Sequence, residues 1–479
     1  MSKILFTGMS WNLFSRIFSN GSQLLIYFVL ARLLSPTDFG VIAIVLVFIN
    51  ISTIFANAGL GSAIIQNKLY DKDKFNTIYV LSISFGIIIS SILYVFSPFI
   101  SSFFPSDVDL VFLIRFTIPL IIFYSINSIQ ISILQRDLNF KKMFVATSIP
   151  IIISGTVGII LAYFGFGVYS LIINSLLCAL IGIIICFVFY VPIPNITFHL
   201  THARSSMNYS YKILVAALID EVNKSIFTLL IGKYFSNKTL GNYNFGRQLP
   251  GFASATLNAT IATVFFPYYV KNKESLLDIV QVYRKVIRVL NFILFPLIFI
   301  FLLISKDLII FLFTNKWIES VYYFNIFVII SGVYHLHTKI TYYINALGYS
   351  EVTLKYEFIK KGLGLIVLLM SFSLGIKAIV IGQLIVAIIS VFIMFYPIKK
   401  YLKINFIDQI NDIIPLFLLS FISFIIVYWF KSYLQINNFS LLILSPLTYL
   451  FLYYTIGKIF KINSFNEFNS LMKYFNFKK

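Results

Sequence analysis

An all-α membrane protein of about fourteen transmembrane helices is the fold class the sequence predicts, arranged as two pseudo-symmetric six-helix bundles around a central cavity plus two C-terminal helices. Three observations carry this expectation: composition, the recurrence of long apolar runs, and an internal repeat. Of 479 residues, 59% are hydrophobic and 11% charged, and the mean hydropathy is +0.92. An average soluble domain is about 45–50% apolar and about 25% charged. Apolar segments of about 20 residues, each able to cross roughly 30 Å of hydrocarbon, recur from end to end. No stretch is long and polar enough for a separate soluble domain.

Reading apolar runs between polar punctuation places helix starts near residues 8, 39, 76, 110, 143, 167, 208, 239, 282, 320, 356, 376, 411 and 438. The first helix is read as retained, because Met1 to Ser10 lack the order of charged region, short apolar core and cleavage site that marks a signal peptide. With both termini placed inside, most Lys and Arg residues fall on the inner side. Examples are Lys68, Lys72 and Lys74, then Arg136, Lys141 and Lys142, then Lys399, Lys400 and Lys403. The positive-inside bias makes that side the cytoplasm, and these clusters read as topology signals and contacts to anionic membrane lipids. The net charge of +20 is thereby explained without nucleic acid as a partner. Cys178 and Cys186 lie within one apolar run and read as small apolar fillers.

The first long run ends in ARLLSPTDFG, Ala31 to Gly40, and GKYFSNKTLG, Gly232 to Gly241, follows 201 residues later without a gap. Arg32 pairs with Lys233, Ser35 with Ser236 and Gly40 with Gly241. Later, GVYSL at Gly167 is matched by GIKAI at Gly375. The predicted division is therefore 1–207 and 208–403 as six-helix bundles, with 404–479 as two additional helices and a cytoplasmic tail. An even number of helices per half makes the copies parallel, the arrangement of transporters with a cavity between their halves. Arg32 and Lys233 then end the first helix of each half, where a basic side chain snorkels and meets the negative helix end. Pro36 and Gly40 turn the chain into the next helix.

Polar residues inside spans mark the candidate site. Asn12, Arg16, Asn20, Gln23 and Tyr27 follow steps of three or four and so share one face of the first helix. A stripe containing Arg costs about 2.5–3.5 kcal/mol against lipid on insertion scales, so it is expected to face protein or water. Helix seven carries Lys212, Asp220, Glu221 and Lys224, and the offset of 201 maps Glu221 onto Asn20 and Lys224 onto Gln23. Asp220 and Glu221, the only acids placed deep in a span, stand four and three residues from Lys224, so either a structural ion-pair cluster or a part in coupling and gating is open. Arg115, Arg247, Arg288 and Lys339 are further embedded bases, with Arg288 near a boundary and Arg247 beside Pro250 and Gly251. Such a cationic interior suits an anionic solute such as a phosphate or diphosphate.

Other chemistries are unsupported. There is no G-x-x-x-x-G-K-[ST] loop for nucleotide hydrolysis. His335 and His337 point to different faces, and His199 and His202 lack further ligands nearby, so no metal or other cofactor is expected. Asp107 and Asp109 in an outer loop resemble the acidic pair of membrane glycosyltransferases, a two-residue pattern read here as a solvated loop.

The opening span with ARLLSPTDFG, followed by GLGSAIIQ at Gly59 to Gln66 and QRDLNFKK at Gln135 to Lys142, resembles the Wzx-type polysaccharide transporters. These belong to the multidrug/oligosaccharidyl-lipid/polysaccharide exporter (MOP) superfamily, and the likeness is to its lipopolysaccharide and colanic-acid exporter branch. The resemblance implies a MATE-like fold alternating between inward-open and outward-open states in a bacterial inner membrane. It implies a flippase, not an enzyme, that moves an undecaprenyl-diphosphate type of lipid-linked oligosaccharide to the periplasmic leaflet for surface polysaccharide assembly, in company with polymerase machinery. By the same analogy Arg16 and Arg247 would meet the diphosphate with Lys224 assisting, the other cavity candidates being Asn12, Asn20, Gln23 and Lys339, while Asp220 and Glu221 would serve coupling or gating. Two alternatives stand beside it. An ion-coupled drug or cation antiporter of the same superfamily would favour acids in the first half, where Arg16 and amides stand. A membrane glycosyltransferase or polymerase would need catalytic acids on a large outer loop.

Overall fold

The computed structural model describes residues 2–66, 72–106, 108–191, 194–251, 276–433 and 438–460, and among these there is no strand. Lys68 and Asp107 lie outside the described residues. The helices are α1 (Ser2–Leu33), α2 (Pro36–Asn57), α3 (Leu60–Gln66), α4 (Lys72–Ser102), α5 (Leu110–Thr117), α6 (Pro119–Arg136), α7 (Phe140–Tyr163) and α8 (Val168–Phe189). The chain continues with α9 (Leu200–Tyr234), α10 (237–251), α11 (Leu276–Phe313), α12 (Ser320–Ala346), α13 (Ser350–Phe372), α14 (Ile376–Leu402), α15 (Phe406–Tyr433) and α16 (Asn438–Ile459).

Among the described residues, nine segments are long and apolar enough to cross a membrane. The chain is a multi-pass membrane protein. Large apolar side chains stand exposed where a soluble protein would bury them, Val95 at 71%, Leu369 at 75% and Phe451 at 67%, as lipid-facing residues do. α1 and α9 fall outside the nine, as expected of helices that carry charges and amides along their length. Several helices outrun their predicted ends. α9 begins at Leu200 instead of 208, and α11 continues through Lys306 and Asp307 to Phe313. The fourth apolar run is two helices, because Pro119 offers no N–H and its ring crowds the carbonyl one turn back, which breaks the helix at Ile118.

By their internal contacts the residues form two compact units, Met1–Asn244 and Phe245–Lys479. In the first unit α1 packs on α7, α7 on α8, and α2 sits among α4, α6 and α9. The seventh long helix, α9, thus packs with the first six. In the second unit α12 and α13 pack on α14, while α15 and α16 pack on α11 and on each other, so the two C-terminal helices adhere to α11.

The repeated motif builds the same local structure twice. Ser35 caps α2: its Oγ accepts from the Asp38 N–H at 3.3 Å, and Asp38 Oδ2 accepts from the Ser35 N–H at 2.9 Å, a reciprocal capping box with Pro36 in the first turn. In the copy, Ser236 Oγ accepts from the Thr239 N–H at 3.3 Å. Five residues beyond each capping serine stands a glycine, and the two glycines meet. A β-carbon on Gly40 would overlap the Asn237 carbonyl and stand 3.1 Å from the Gly241 nitrogen; one on Gly241 would overlap the Pro36 carbonyl and stand 3.1 Å from the Gly40 nitrogen. Since 36 and 237 are themselves repeat partners, the contact is reciprocal, each copy giving the other the same surface.

In the second unit, charge fastens α11 to α15. Arg284 Nε and Nη2 donate to Asp412 Oδ2 and Oδ1 at 2.7 and 3.1 Å, and Arg288 Nη1 donates to Asp412 Oδ1 at 2.8 Å. Toward the other end Lys431 pairs with Asp307 and donates to the Leu303 carbonyl at 2.7 Å. Both Arg288–Asp412 and Asp307–Lys431 span 124 residues in sequence, so the helices run parallel and in register. From Arg288 to Asp307 is about 28 Å at about 1.5 Å per residue, close to the hydrocarbon thickness. Between the clamps the contact is aromatic, Phe295 on Phe417 and Phe299 on Phe421. Asp307 and Asp412 are buried, which corrects the expectation that Asp220 and Glu221 are the only acids deep in spans. Arg288, read from the sequence as an embedded base near a boundary, is half of a fork on Asp412.

Two predictions follow from these contacts. Gly40→Ala and Gly241→Ala each destabilise the protein by about 1–3 kcal/mol through forced overlap of backbones, whereas Gly21→Ala, with nothing within 4 Å of the new β-carbon, is neutral or stabilising by up to about 1 kcal/mol; thermal unfolding in detergent ranks the three. Asp307→Asn costs about 2–3 kcal/mol, below the roughly 3–5 kcal/mol of a fully buried pair because Lys431 keeps 18% of its side chain exposed. Adding Lys431→Met recovers part of that loss, and a double-mutant cycle on the same unfolding signal measures it.

Candidate functional site

α1 is held to the first unit by one face. Trp11, Phe14 and Phe18 pack around Phe144 of α7 at 5.3–6.0 Å between ring centroids, and Ser19 Oγ meets Ser148 Oγ at 3.0 Å. The stripe predicted from spacing lies on another face: Arg16 and Gln23 are exposed and Asn20 is half-buried. The Asn12 side chain lies outside the described residues. A helical turn accounts for this division, since residues three or four apart share a side and the α7-facing set is offset from the polar set.

On α9, Asp220 and Lys224 are exposed and one turn apart, while Glu221 is half-buried and accepts from Ser225 Oγ at 3.4 Å. Further along, Thr228 Oγ1 donates to Asn244 Oδ1 at 3.4 Å, tying α9 to the middle of α10. The structure therefore places Arg16, Asn20 and Gln23 together on α1 and Asp220, Glu221 and Lys224 together on α9, each set on its own helix. Arg247 and Lys339 belong to the second unit. Arg247 is half-buried on α10, and Lys339 is in α12 with its side chain outside the described residues.

Other bases in the spans already have structural duties. Arg115 donates from Nε to Ser97 Oγ at 3.0 Å and lies 4.2 Å over the Tyr94 ring. Lys233, the repeat partner of Arg32, ends α9 with its ammonium 5.0 Å from the Phe103 ring and 5.3 Å from that of Tyr234. Arg284, Arg288 and Lys431 are neutralised by acids. Sequence reading missed Arg284, Asp307, Asp412 and Lys431, whose pairing across 124 residues shows only once α11 and α15 lie side by side. Among the described residues no three His, Cys, Asp or Glu side chains are grouped to hold a metal ion. What the α1 and α9 sets offer is polar and charged surface on helices otherwise made of apolar residues, suited to binding and orienting an amphiphilic solute.

Comparison with known proteins sets this arrangement in context. The family model described as polysaccharide biosynthesis protein matches residues 29–322. The chain is similar to the lipopolysaccharide biosynthesis protein WzxC of Escherichia coli (strain K12), 20% identical over 398 residues, covering 82% of this chain and 80% of that one. It is also similar to the teichuronic acid biosynthesis protein TuaB of Bacillus subtilis (strain 168), 23% identical over 332 residues, covering 69% and 68%. Among solved structures, the lipid II flippase MurJ in an inward closed conformation superposes with a TM-score of 0.77 at 15% identity, over 95% of this chain and 98% of that one. An inward-facing multidrug resistance MATE transporter of the MOP superfamily superposes with a TM-score of 0.58 at 14% identity, over 81% and 94%. The backbone thus has the MOP-type fold, and by sequence the chain belongs to the polysaccharide biosynthesis protein family.

Proposed function

We propose that this chain is a flippase for surface polysaccharide assembly, carrying a polyprenyl-diphosphate-linked oligosaccharide from the cytoplasmic to the periplasmic leaflet of the bacterial inner membrane by alternating access. It acts as a transporter and makes or breaks no covalent bond. The reading takes the chain as fourteen spans in two six-helix halves, 1–207 and 208–403, around a central cavity, with 404–479 as an addition and both termini cytoplasmic. Family membership and the named relatives support the polysaccharide pathway, and the likeness to the MurJ backbone supports a lipid-linked cargo.

The observation that carries the proposal is the exposed polar face of α1. Arg16 and Gln23 are exposed on a helix whose other face is seated on aromatic side chains of α7. Held against acyl chains, Arg16 would cost several kcal/mol; facing a watery cavity, it meets an anion at no such cost. The cargo has the matching problem. Its sugar hydroxyls and diphosphate, dragged unaided through hydrocarbon, would each lose hydrogen bonds worth several kcal/mol. A polar lumen lets the head group pass while the tail stays in the bilayer.

In this scheme Arg16 and Arg247 bind the diphosphate, Lys224 assists, Asn12, Asn20, Gln23 and Lys339 meet sugar hydroxyls, and Asp220 and Glu221 change charge or partner as the lumen switches sides. Lys72 and Lys74 at the start of α4, Arg136 at the end of α6, and Lys399 and Lys400 at the end of α14 share one side if successive long helices alternate in direction, and the positive-inside bias puts that side in the cytoplasm. The test is complementation in a bacterium lacking its own exporter of this class. Arg16→Gln with Lys224→Gln is expected to reduce surface polysaccharide at least tenfold at matched protein level; normal polysaccharide in the double variant contradicts the assignment.

A further inference from the structure

Between α2, α4 and α9, wholly within the first unit, lies a groove of about 300 Å³ lined by Phe55 of α2 and Ala58 at its C-cap, Ile88 of α4, and Met207, Tyr211 and Leu214 of α9. Its walls are open: Phe55, Ile88, Met207 and Tyr211 are each between 42% and 53% exposed. α9 is pinned beside it, because Ser210 Oγ donates to the Gly59 carbonyl at 3.1 Å, and Gly59, at φ +70, leaves room for the Ser210 backbone where a β-carbon would stand 2.8 Å from its oxygen. The gap between the three helices is thus framed by a fixed backbone contact.

We propose that this groove holds the first part of the polyprenyl tail of the cargo, a single-chained anionic lipid; this rests on the function proposed above. Size suits a stretch of hydrocarbon chain, about 300 Å³ of space lined by apolar side chains and the Tyr211 ring. Depth agrees. Ala58 closes the last turn of α2, and Ile88 lies sixteen residues into α4, about 24 Å from Lys72 at about 1.5 Å per residue, so the groove lies at the depth of the hydrocarbon layer. Charge is complementary to an anionic head. The lining has no acid, while Lys212, its ammonium 5.9 Å from the Tyr211 ring, is exposed beside the groove, and Arg204 and Lys72, the latter next to the exposed Asp73, are exposed near the first turns of α9 and α4. The same helix that would grip the tail carries Asp220 and Lys224 nine and thirteen residues beyond Tyr211, which links tail docking to the proposed head-group residues through one rigid element.

The test uses the full chain with Cys178→Ala and Cys186→Ala, carrying Ile88→Cys labelled with a small thiol-reactive fluorophore, in phosphatidylcholine nanodiscs. Undecaprenyl diphosphate is expected to change the emission saturably. Met207→Trp or Leu214→Trp, each filling the groove from α9, is expected to weaken that response at least tenfold, and whichever folds with an unchanged unfolding temperature suffices. Phosphatidylglycerol at the same mole fraction is expected not to compete. Absence of a saturable change, an undiminished response in a folded plug variant, or equal competition by phosphatidylglycerol, the mark of a general lipid crevice, overturns the proposal. Transport of a labelled lipid-linked oligosaccharide by the unmodified chain is read separately: movement with a silent groove removes this inference alone, and a filled groove without movement removes the flippase reading.

Discussion

The backbone crossing at Gly40 and Gly241 is the constraint on which the first unit's geometry depends. Each glycine lies five residues past a capping serine, so the approach angle of α2 and of α10 is set by a hydrogen-bonded cap before the helices touch. With no β-carbon at either position, the carbonyls of Asn237 and Pro36 come close enough that any larger residue would overlap them. Membrane helices gain little from burying apolar surface against one another, since lipid is equally apolar, so close backbone approach through small residues is a main source of their adhesion. Because the contact is reciprocal under the repeat offset, a duplicated sequence is converted directly into a duplicated geometry.

Charge is divided between two kinds of work. In the second unit the guanidinium fork of Arg284 and Arg288 on Asp412, and the pair of Lys431 with Asp307, fasten α11 to α15 at two levels about one hydrocarbon thickness apart. Aromatic packing fills the span between them. These charges satisfy one another, which is how ionic groups persist within apolar helices. Arg16, Gln23, Asp220 and Lys224 are exposed, on α1 and α9, helices whose polar residues keep them below the hydropathy of a lipid-immersed span. The first set keeps helices of the second unit together; the second is the set proposed above to meet a polar cargo.

Much of this was legible in the sequence. The Ser-Pro turn marked the α1–α2 junction because capping demands those residue types, whereas Gly40, read as part of that turn, lies inside α2 and makes the close contact with its copy Gly241. The steps of Arg16, Asn20 and Gln23 showed a polar face because a helix repeats every 3.6 residues. The ion pairs were illegible for a physical reason. Lys306 and Asp307 look like loop punctuation when hydropathy alone is read, and only a partner on α15 permits α11 to carry them as helix. The start of α9 was misplaced for a similar reason: its first turns are polar, so the apolar signal begins later than the helix. The groove beside Tyr211 left no signature, since its lining comes from three helices distant in sequence.

A fold of the MOP type, membership of a polysaccharide biosynthesis family and an exposed polar face on α1 are the grounds for the proposed movement of a lipid-linked sugar across the bilayer. The most direct measurement places the purified chain in liposomes containing a fluorescent polyprenyl-diphosphate oligosaccharide and follows how much label becomes accessible to a membrane-impermeant quencher. The account predicts that the inner-leaflet pool becomes accessible at a rate proportional to the amount of protein, with the sugar chain unchanged in length. A pool that stays protected, or an oligosaccharide that grows, would contradict it.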